Sequence, residues 1–209
     1  KRSQGLSVFL IDMRDALKNG MSIKPIRTMI NHNTTEIFFD EMTIPADSLI
    51  GEEGKGFKYI LSGMNAERIL IAGECIGDAR WFIKKAADYA RERVVFQRPI
   101  GQNQGIQFPI AKVYAQTEAA EAVLQKASAL FEAGDTGGTY ANMAKMLASE
   151  ASWEAADICM QTHGGFAVAE EYDIERKFRE SRLYRIAPIS TNLILSYLAE
   201  HELGLPRSY

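Results

Sequence analysis

The change of hydrophobic period at Gly51-Glu52-Glu53-Gly54-Lys55-Gly56 constrains this chain more than any other feature. Beyond it, apolar residues recur at helical spacing to the end, and candidate helices fall at roughly 56–93, 104–134, 139–163, 173–184 and 191–203. Gly134-Asp135 and Gly164-Gly165 supply C-terminal stops, and Thr139 and Asp173 stand where N-caps belong. Long helices with short connections mean an up-and-down four-helix bundle. Before the glycine-rich stretch the signals are short and β-like. Residues 6–13, 22–29 and 34–39 read as strands, separated by Asn19-Gly20 and Asn31-His32-Asn33. Three strands are too few for a stable sheet covered on both faces. The expectation is therefore a mainly α chain: a helical bundle over 54–209, preceded over 1–53 by a few strands from the end of an incomplete β-domain.

With 209 residues, 46% of them hydrophobic and 24% charged, the chain suits one large domain or one and a half small ones. A net charge of -3, with basic residues spread among acidic ones, leaves no electrostatic footprint for nucleic acid. The longest apolar runs, such as Ile69-Leu70-Ile71-Ala72-Gly73, fall far short of the roughly 18 residues of a membrane span. Cys75 and Cys159 lie inside helical patterns without metal-ligand spacing, so no metal site is expected and a reducing compartment fits. The chain opens at Lys1 with no initiator Met and no secretory signal, directly in Ser7-Val8-Phe9-Leu10-Ile11, and reads as a piece of something larger.

Within the first long helix, Glu67-Arg68 sets two opposite charges on an apolar stripe. Counting back from Glu67 by three, four and seven positions gives Met64, Gly63 and Ile60, and counting forward by four gives Ile71, so the carboxylate is expected to face the core. A buried charge is costly unless paired or used. One reading is a local ion pair at a helix interface; the other is a chemical group placed on purpose. Further on, Tyr89-Ala90-Arg91-Glu92-Arg93-Val94-Val95-Phe96-Gln97-Arg98-Pro99-Ile100-Gly101 ends that helix with arginines around an aromatic, and Gln104 opens the next. Taken alone, it is a solvated helix end with cations at the negative pole of the dipole. Gln161-Thr162-His163-Gly164-Gly165-Phe166 is either a glycine stop or a place where backbone can approach a phosphate or ribose closely. His163 reads as a hydrogen-bonded structural histidine.

In their order and spacing these pieces resemble the acyl-CoA dehydrogenase family over nearly the whole chain. The resemblance is carried by Ile44-Pro45-Ala46-Asp47-Ser48-Leu49-Ile50-Gly51, Gly54-Lys55-Gly56-Phe57, Glu67-Arg68, Tyr89-Ala90 through Arg93, Phe96, Pro99-Ile100, Gln104 and Gln161 through Gly165. It closes with Glu175-Arg176, Arg179-Glu180-Ser181-Arg182 and Ile186. It implies that the chain is the last part of a middle β-domain plus a complete C-terminal bundle, and that the enzyme uses FAD to oxidise an acyl-CoA thioester to trans-2-enoyl-CoA. Such chemistry needs a base for the proton α to the thioester, fixed in geometry and tuned by desolvation. The flavin supplies the redox chemistry.

Many members carry that base near the C-terminus in a Tyr-Glu-Gly-Thr segment, but the matching stretch here is Ala187-Pro188-Ile189-Ser190, with Pro188 in place of the Glu. Members similar to the isovaleryl-CoA and long-chain dehydrogenases carry it on the first bundle helix, where Glu67 matches. The resemblance therefore implies Glu67 as catalytic base, with Met64, Asn65 and Arg68 at the substrate. It further implies FAD contacts at Arg93, Phe96, Gln104, Gln161, Gly164 and Gly165, at positions that hold a neighbouring subunit's cofactor in the family, and at Ser190 and Asn192. Val95 and Gln97 replace a frequent Thr and Gly, and Ile189 replaces a motif glycine. The implied partners are acyl-CoA, electron-transfer flavoprotein and further copies of the chain in a dimer or tetramer. The implied location is bacterial cytoplasm or the mitochondrial matrix. Alternatives are an acyl-CoA oxidase-like enzyme and a non-catalytic helical assembly module. Without the remainder, the chain holds at most part of one FAD site and is expected to be inactive alone.

Overall fold

A computed structural model describes residues 5–30, 33–134 and 138–208. Asn31, His32 and Asp135, expected to act as punctuation, lie outside the described residues. The chain divides into two compact units, Lys1–Met64 and Asn65–Tyr209.

The first unit holds two antiparallel ribbons. β1 (Val8–Phe9) pairs with β4 (Leu49–Ile50), and β2 (Met21–Ile26) pairs with β3 (Thr34–Phe39) from Met21 opposite Phe39 to Ile26 opposite Thr34. The strand expected over 6–13 shrinks to two paired residues. Asp12 is the reason: its carboxylate accepts the Arg14 amide at 2.8 Å and caps a short helix, α1 (Met13–Ala16), which takes the end of the run out of the strand. The strand expected over 22–29 is shifted to Met21–Ile26.

The second unit is helical, and together with the ribbons it makes the chain mainly α. α2 (Gly56–Glu92) begins in the first unit and continues into the second; α3 (Gln104–Glu132), α4 (Gly138–His163), α5 (Ile174–Ser181) and α6 (Thr191–His201) follow. Between α2 and α3 lies a small ribbon of β5 (Val94–Val95) and β6 (Arg98–Pro99). On α2, Arg68, Ala72, Cys75, Ala79, Phe82, Ala86 and Ala90 are buried at spacings of four and three, which is the seam of an up-and-down bundle. Small residues dominate that seam and its counterparts Ala120 and Ala127 on α3 and Ala144, Ala148, Ala155 and Ala156 on α4, so the helices approach closely. One core cluster gathers Phe82, Val113, Ala156, Cys159 and Ile174; the other gathers Ala72, Cys75, Ile76, Ala120, Ala144, Ala148 and Tyr184. Ion pairs stitch the seams: Arg80 reaches Glu118 at 3.2 Å and also Glu121, Lys112 reaches Glu154 at 3.3 Å, and Lys177 pairs with the buried Asp78. Both cysteines are buried, and burial pushes each thiol up to about 12. Among the described residues, no helix is long and apolar enough to cross a membrane.

Two caps differ from expectation. Asp173 precedes α5 with φ 61°, and its carboxylate is held by Arg176 at 2.6 Å through two bonds instead of capping the helix. Thr139 lies inside α4, which already begins at Gly138, and its hydroxyl donates to Glu202 at 2.6 Å. The stops at Gly134 (φ 82°) and Gly164 (φ 58°) adopt the left-handed conformation that a C-terminal glycine permits.

Candidate active site

The Glu67-Arg68 pair sits on α2 in the opposite sense to expectation: Glu67 is exposed and Arg68 is buried, 8% accessible. The core seam runs through 68, 72 and 75, one position around the helix from the stripe of Ile60, Gly63, Met64 and Ile71. Arg68 Nη1 donates to Asn65 Oδ1 at 2.8 Å, one turn earlier, while its Nε is buried without a partner. Burial pushes the Arg68 guanidinium below its ordinary value, and the neighbouring Glu67 charge works against that shift. Met64 and Asn65 are half-buried. Asn65 also lies within 3.7 Å of the space above Gly138 at the start of α4, and Tyr197 of α6 approaches the same point.

Four of the residues matched to flavin contacts converge elsewhere in the helical unit. Arg93, Gln161, Gly164 and Gly165 line one cavity of about 470 Å³, together with Tyr89, Val95, His163 and Phe166. The end of α2 contributes Arg93, whose guanidinium lies 5.9 Å from the centre of the Phe166 ring. The end of α4 contributes Gln161 and the double glycine. A Cβ placed on Gly165 would meet nothing within 4 Å, so its backbone faces open space. His163 is buried, stacks on Tyr89 with ring centres 4.1 Å apart, and shares its Nδ1 with the Cys159 carbonyl at 2.9 Å. Burial lowers its pKa, so the neutral ring is favoured.

The other matched residues stand apart from that cavity. Phe96 and Gln97 form the two-residue turn between β5 and β6 at φ 52° and 63°, and Phe96 is 93% exposed at its tip. Gln104 is exposed at the first residue of α3. Ser190 caps α6, its Oγ accepting the Leu193 amide at 3.4 Å, and Asn192 is exposed in the first turn.

Sequence reasoning missed Lys145. It lies on α4, fully buried, and its Nζ donates to the Ile189 carbonyl at 2.7 Å. Burial, with Arg185 and Arg68 nearby, pulls the ammonium down to about 8, opposed by Cys75 and Glu150. Its spacing from Ala141, Ala148 and Ser152 was the available signal: a lysine at an inward position of an alanine-rich helix.

Comparison with known proteins places this arrangement. The family description "Acyl-CoA dehydrogenase, C-terminal domain" matches residues 54–201. The acyl-CoA dehydrogenase FadE12 of Mycobacterium tuberculosis (strain H37Rv) is 40% identical over 176 residues, covering 83% of this chain and 45% of the relative. Cyclohex-1-ene-1-carbonyl-CoA dehydrogenase of Syntrophus aciditrophicus is 33% identical over 208 residues, covering 99% of this chain and 50% of that protein. Among solved structures, a glutaryl-coenzyme A dehydrogenase in complex with glutaryl-CoA superposes with a TM-score of 0.92 at 29% identity, covering 99% of this chain and 52% of that one. The chain thus spans about half the length of the curated relatives it matches. A family match across the entire bundle, with a fold that superposes over nearly the full chain, establishes that this chain belongs to the acyl-CoA dehydrogenase family.

Proposed function

We propose that the protein carrying this chain is an FAD-dependent oxidoreductase that dehydrogenates an acyl-CoA thioester to the trans-2-enoyl-CoA. The observation that carries this reading is the convergence of Arg93, Gln161, Gly164 and Gly165, from two separate helix ends, on one cavity. The residues present fit part of a dinucleotide: a guanidinium suits a phosphate, an aromatic and a neutral imidazole offer flat faces, and the open backbone at Gly165 permits close approach. At about 470 Å³ the cavity lies within the range of small-ligand pockets but is small for a whole dinucleotide. In this reading Arg93, Gln161 and the Gly164-Gly165 backbone, with Phe96 and Gln104, hold the cofactor of a neighbouring subunit, and Ser190 and Asn192 add contacts from α6.

When bound, FAD supplies the acceptor for the hydride from the β-carbon. Glu67 takes the α-proton from its exposed position on α2. Arg68, anchored beneath by Asn65, fixes the turn that presents Glu67 and sets a positive charge next to the proton acceptor. Pro188 offers no carboxylate at the alternative base position. Relatives named for acyl-CoA thioester substrates support the substrate class. Electron-transfer flavoprotein as electron acceptor and a bundle-mediated homo-oligomer complete the reading, with residues 54–209 as the bundle domain and a soluble location in bacterial cytoplasm or mitochondrial matrix.

The test is anaerobic addition of acyl-CoA to the intact, flavin-loaded gene product. Bleaching of the flavin absorption with formation of enoyl-CoA is the expected result. An intact protein that retains no flavin, or flavin unaffected by acyl-CoA thioesters of short, branched, cyclic and long chains, overturns the proposal. Hydrogen peroxide released in stoichiometric yield under air would move it to the oxidase-like class.

A further inference from the structure

Lys145 is an ammonium with no accessible surface inside a bundle built largely of alanine. Burying such a charge costs several kcal/mol unless it is used. Its hydrogen bond goes to a main-chain carbonyl, that of Ile189 at 2.7 Å. Arg68 and Arg185 add like charge, while Glu150 lies 4.0 Å from Arg185. This is a poor arrangement for stability and a good one for holding a loop. Ile189 directly precedes Ser190, whose side-chain Oγ accepts the Leu193 amide at 3.4 Å and whose carbonyl accepts the Ile194 amide at 3.2 Å. Thr191, next in line, keeps its Oγ1 buried without a partner. The start of α6 is therefore tied to α4 through one long side chain.

We infer that Lys145 is a positioning residue: by tethering the Ile189 carbonyl it fixes Ser190, Thr191 and Asn192 at the start of α6, and through them the cofactor contacts assigned to Ser190 and Asn192. The second half of this inference rests on the flavin reading; the tether itself does not. Lysine suits the task because its stem crosses the apolar seam while its head donates to a carbonyl. Methionine keeps most of the stem and loses the donor. Glutamine keeps a donor but ends one bond too short to reach.

The experiment compares Lys145→Met and Lys145→Gln with the parent in the intact protein, by amide hydrogen exchange without flavin and by FAD titration. The Leu193 and Ile194 amides report the tether because both bond to Ser190. Their exchange is expected to accelerate by about tenfold or more, as loss of one hydrogen bond to a charged group implies, with core amides such as Ala79 and Val113 unchanged. The FAD dissociation constant is expected to rise by about tenfold or more. In a cycle with Ser190→Ala/Asn192→Ala, adding the Lys145 substitution should lose no further FAD affinity, because it acts through those two contacts. Unchanged exchange at Leu193 and Ile194 in a folded variant, or acceleration spread equally through the bundle, overturns the tether. Additive losses in the cycle overturn its link to the cofactor. Both variants remove the buried charge, and Lys145→Gln, which keeps a polar amide at the site, carries the test if Lys145→Met does not fold. A parent protein that binds no FAD defeats the flavin reading and leaves the exchange result to stand or fall alone.

Discussion

Glutamine at position 67 keeps the volume and hydrogen-bonding groups of Glu67 and removes its capacity to accept a proton. Since Glu67 is exposed and makes no part of the core, Glu67→Gln should leave the melting temperature and flavin content of the intact protein unaltered while slowing flavin reduction by acyl-CoA at least about 10²- to 10⁴-fold. Near-normal single-turnover reduction would make Glu67 a surface neighbour of Arg68 and no more. Lys145 yields a second residue-scale prediction, with a definite sign. Its folded-state pKa of about 8 lies below the ordinary lysine value of 10.5, so between those two values the unfolded chain binds the extra proton. Stability should therefore rise with pH across that window, by up to about 3 kcal/mol from this group, and the rise should vanish in Lys145→Gln. Denaturant melts at pH 7.5 and 9.5 of both proteins, differenced, read it directly; equal slopes in parent and variant would refute it. These two residues also show where sequence reading stops. That the Glu67-Arg68 segment carries a charge inward was legible, but which of the two faces inward was not, because Ala72, Cys75 and Ala79 carry the seam and the larger Ile60, Met64 and Ile71 draw the eye one position away. Lys145 was illegible for a related reason: lysine is assigned to the surface by type, and only the spacing of small neighbours argues otherwise.

At the scale of elements, helices were legible to within a few residues because long periodic segments average out local exceptions, whereas the strand expected over 6–13 failed on a single capping aspartate. The junction of α4 with the turn after it is where local structure and the proposed chemistry meet. Gly164 needs its left-handed φ of 58°, so any L-residue there costs roughly 1–2 kcal/mol. Gly165 has no such need and no neighbour above its Cα. The two glycines therefore separate folding from binding. Gly165→Val should fold like the parent, with exposed cavity space taken by the new methyls and FAD affinity reduced by about tenfold or more. Gly164→Val should lower stability before it says anything about the ligand. Equal FAD affinity in Gly165→Val and the parent, by flavin fluorescence titration, would remove that backbone from the cofactor site. The clustering of the double glycine with Arg93 was not readable from sequence, since 67 residues lie between Arg93 and Gln161 and only bundle packing brings the ends of α2 and α4 together.

For the whole molecule, the exposed apolar surface of the bundle and of its β-ribbon points to assembly. Phe96 is the sharpest instance: 93% exposed, on a two-residue turn in which both it and Gln97 hold positive φ, a conformation that neither residue type favours. An isolated chain gains nothing from an aromatic ring held out into water at that cost. A second copy that covers the ring would recover both its burial and the strain, and the family resemblance places this position at a neighbouring subunit's cofactor. The intact protein is therefore expected to be a homodimer or a dimer of dimers, and Phe96→Asp should weaken it on two counts, by desolvating a charge in the interface and by deleting the ring. Light scattering at micromolar concentration should give a multiple of the monomer mass for the parent and a shift towards monomer for Phe96→Asp, with weaker flavin retention on gel filtration. The circular dichroism of the variant should match the parent, because Phe96 packs against nothing within the helical core. A parent that is monomeric and soluble under those conditions, or a Phe96→Asp protein with unchanged mass and unchanged flavin retention, would show that the ribbon tip takes no part in assembly and that its strained turn serves the chain in some other way.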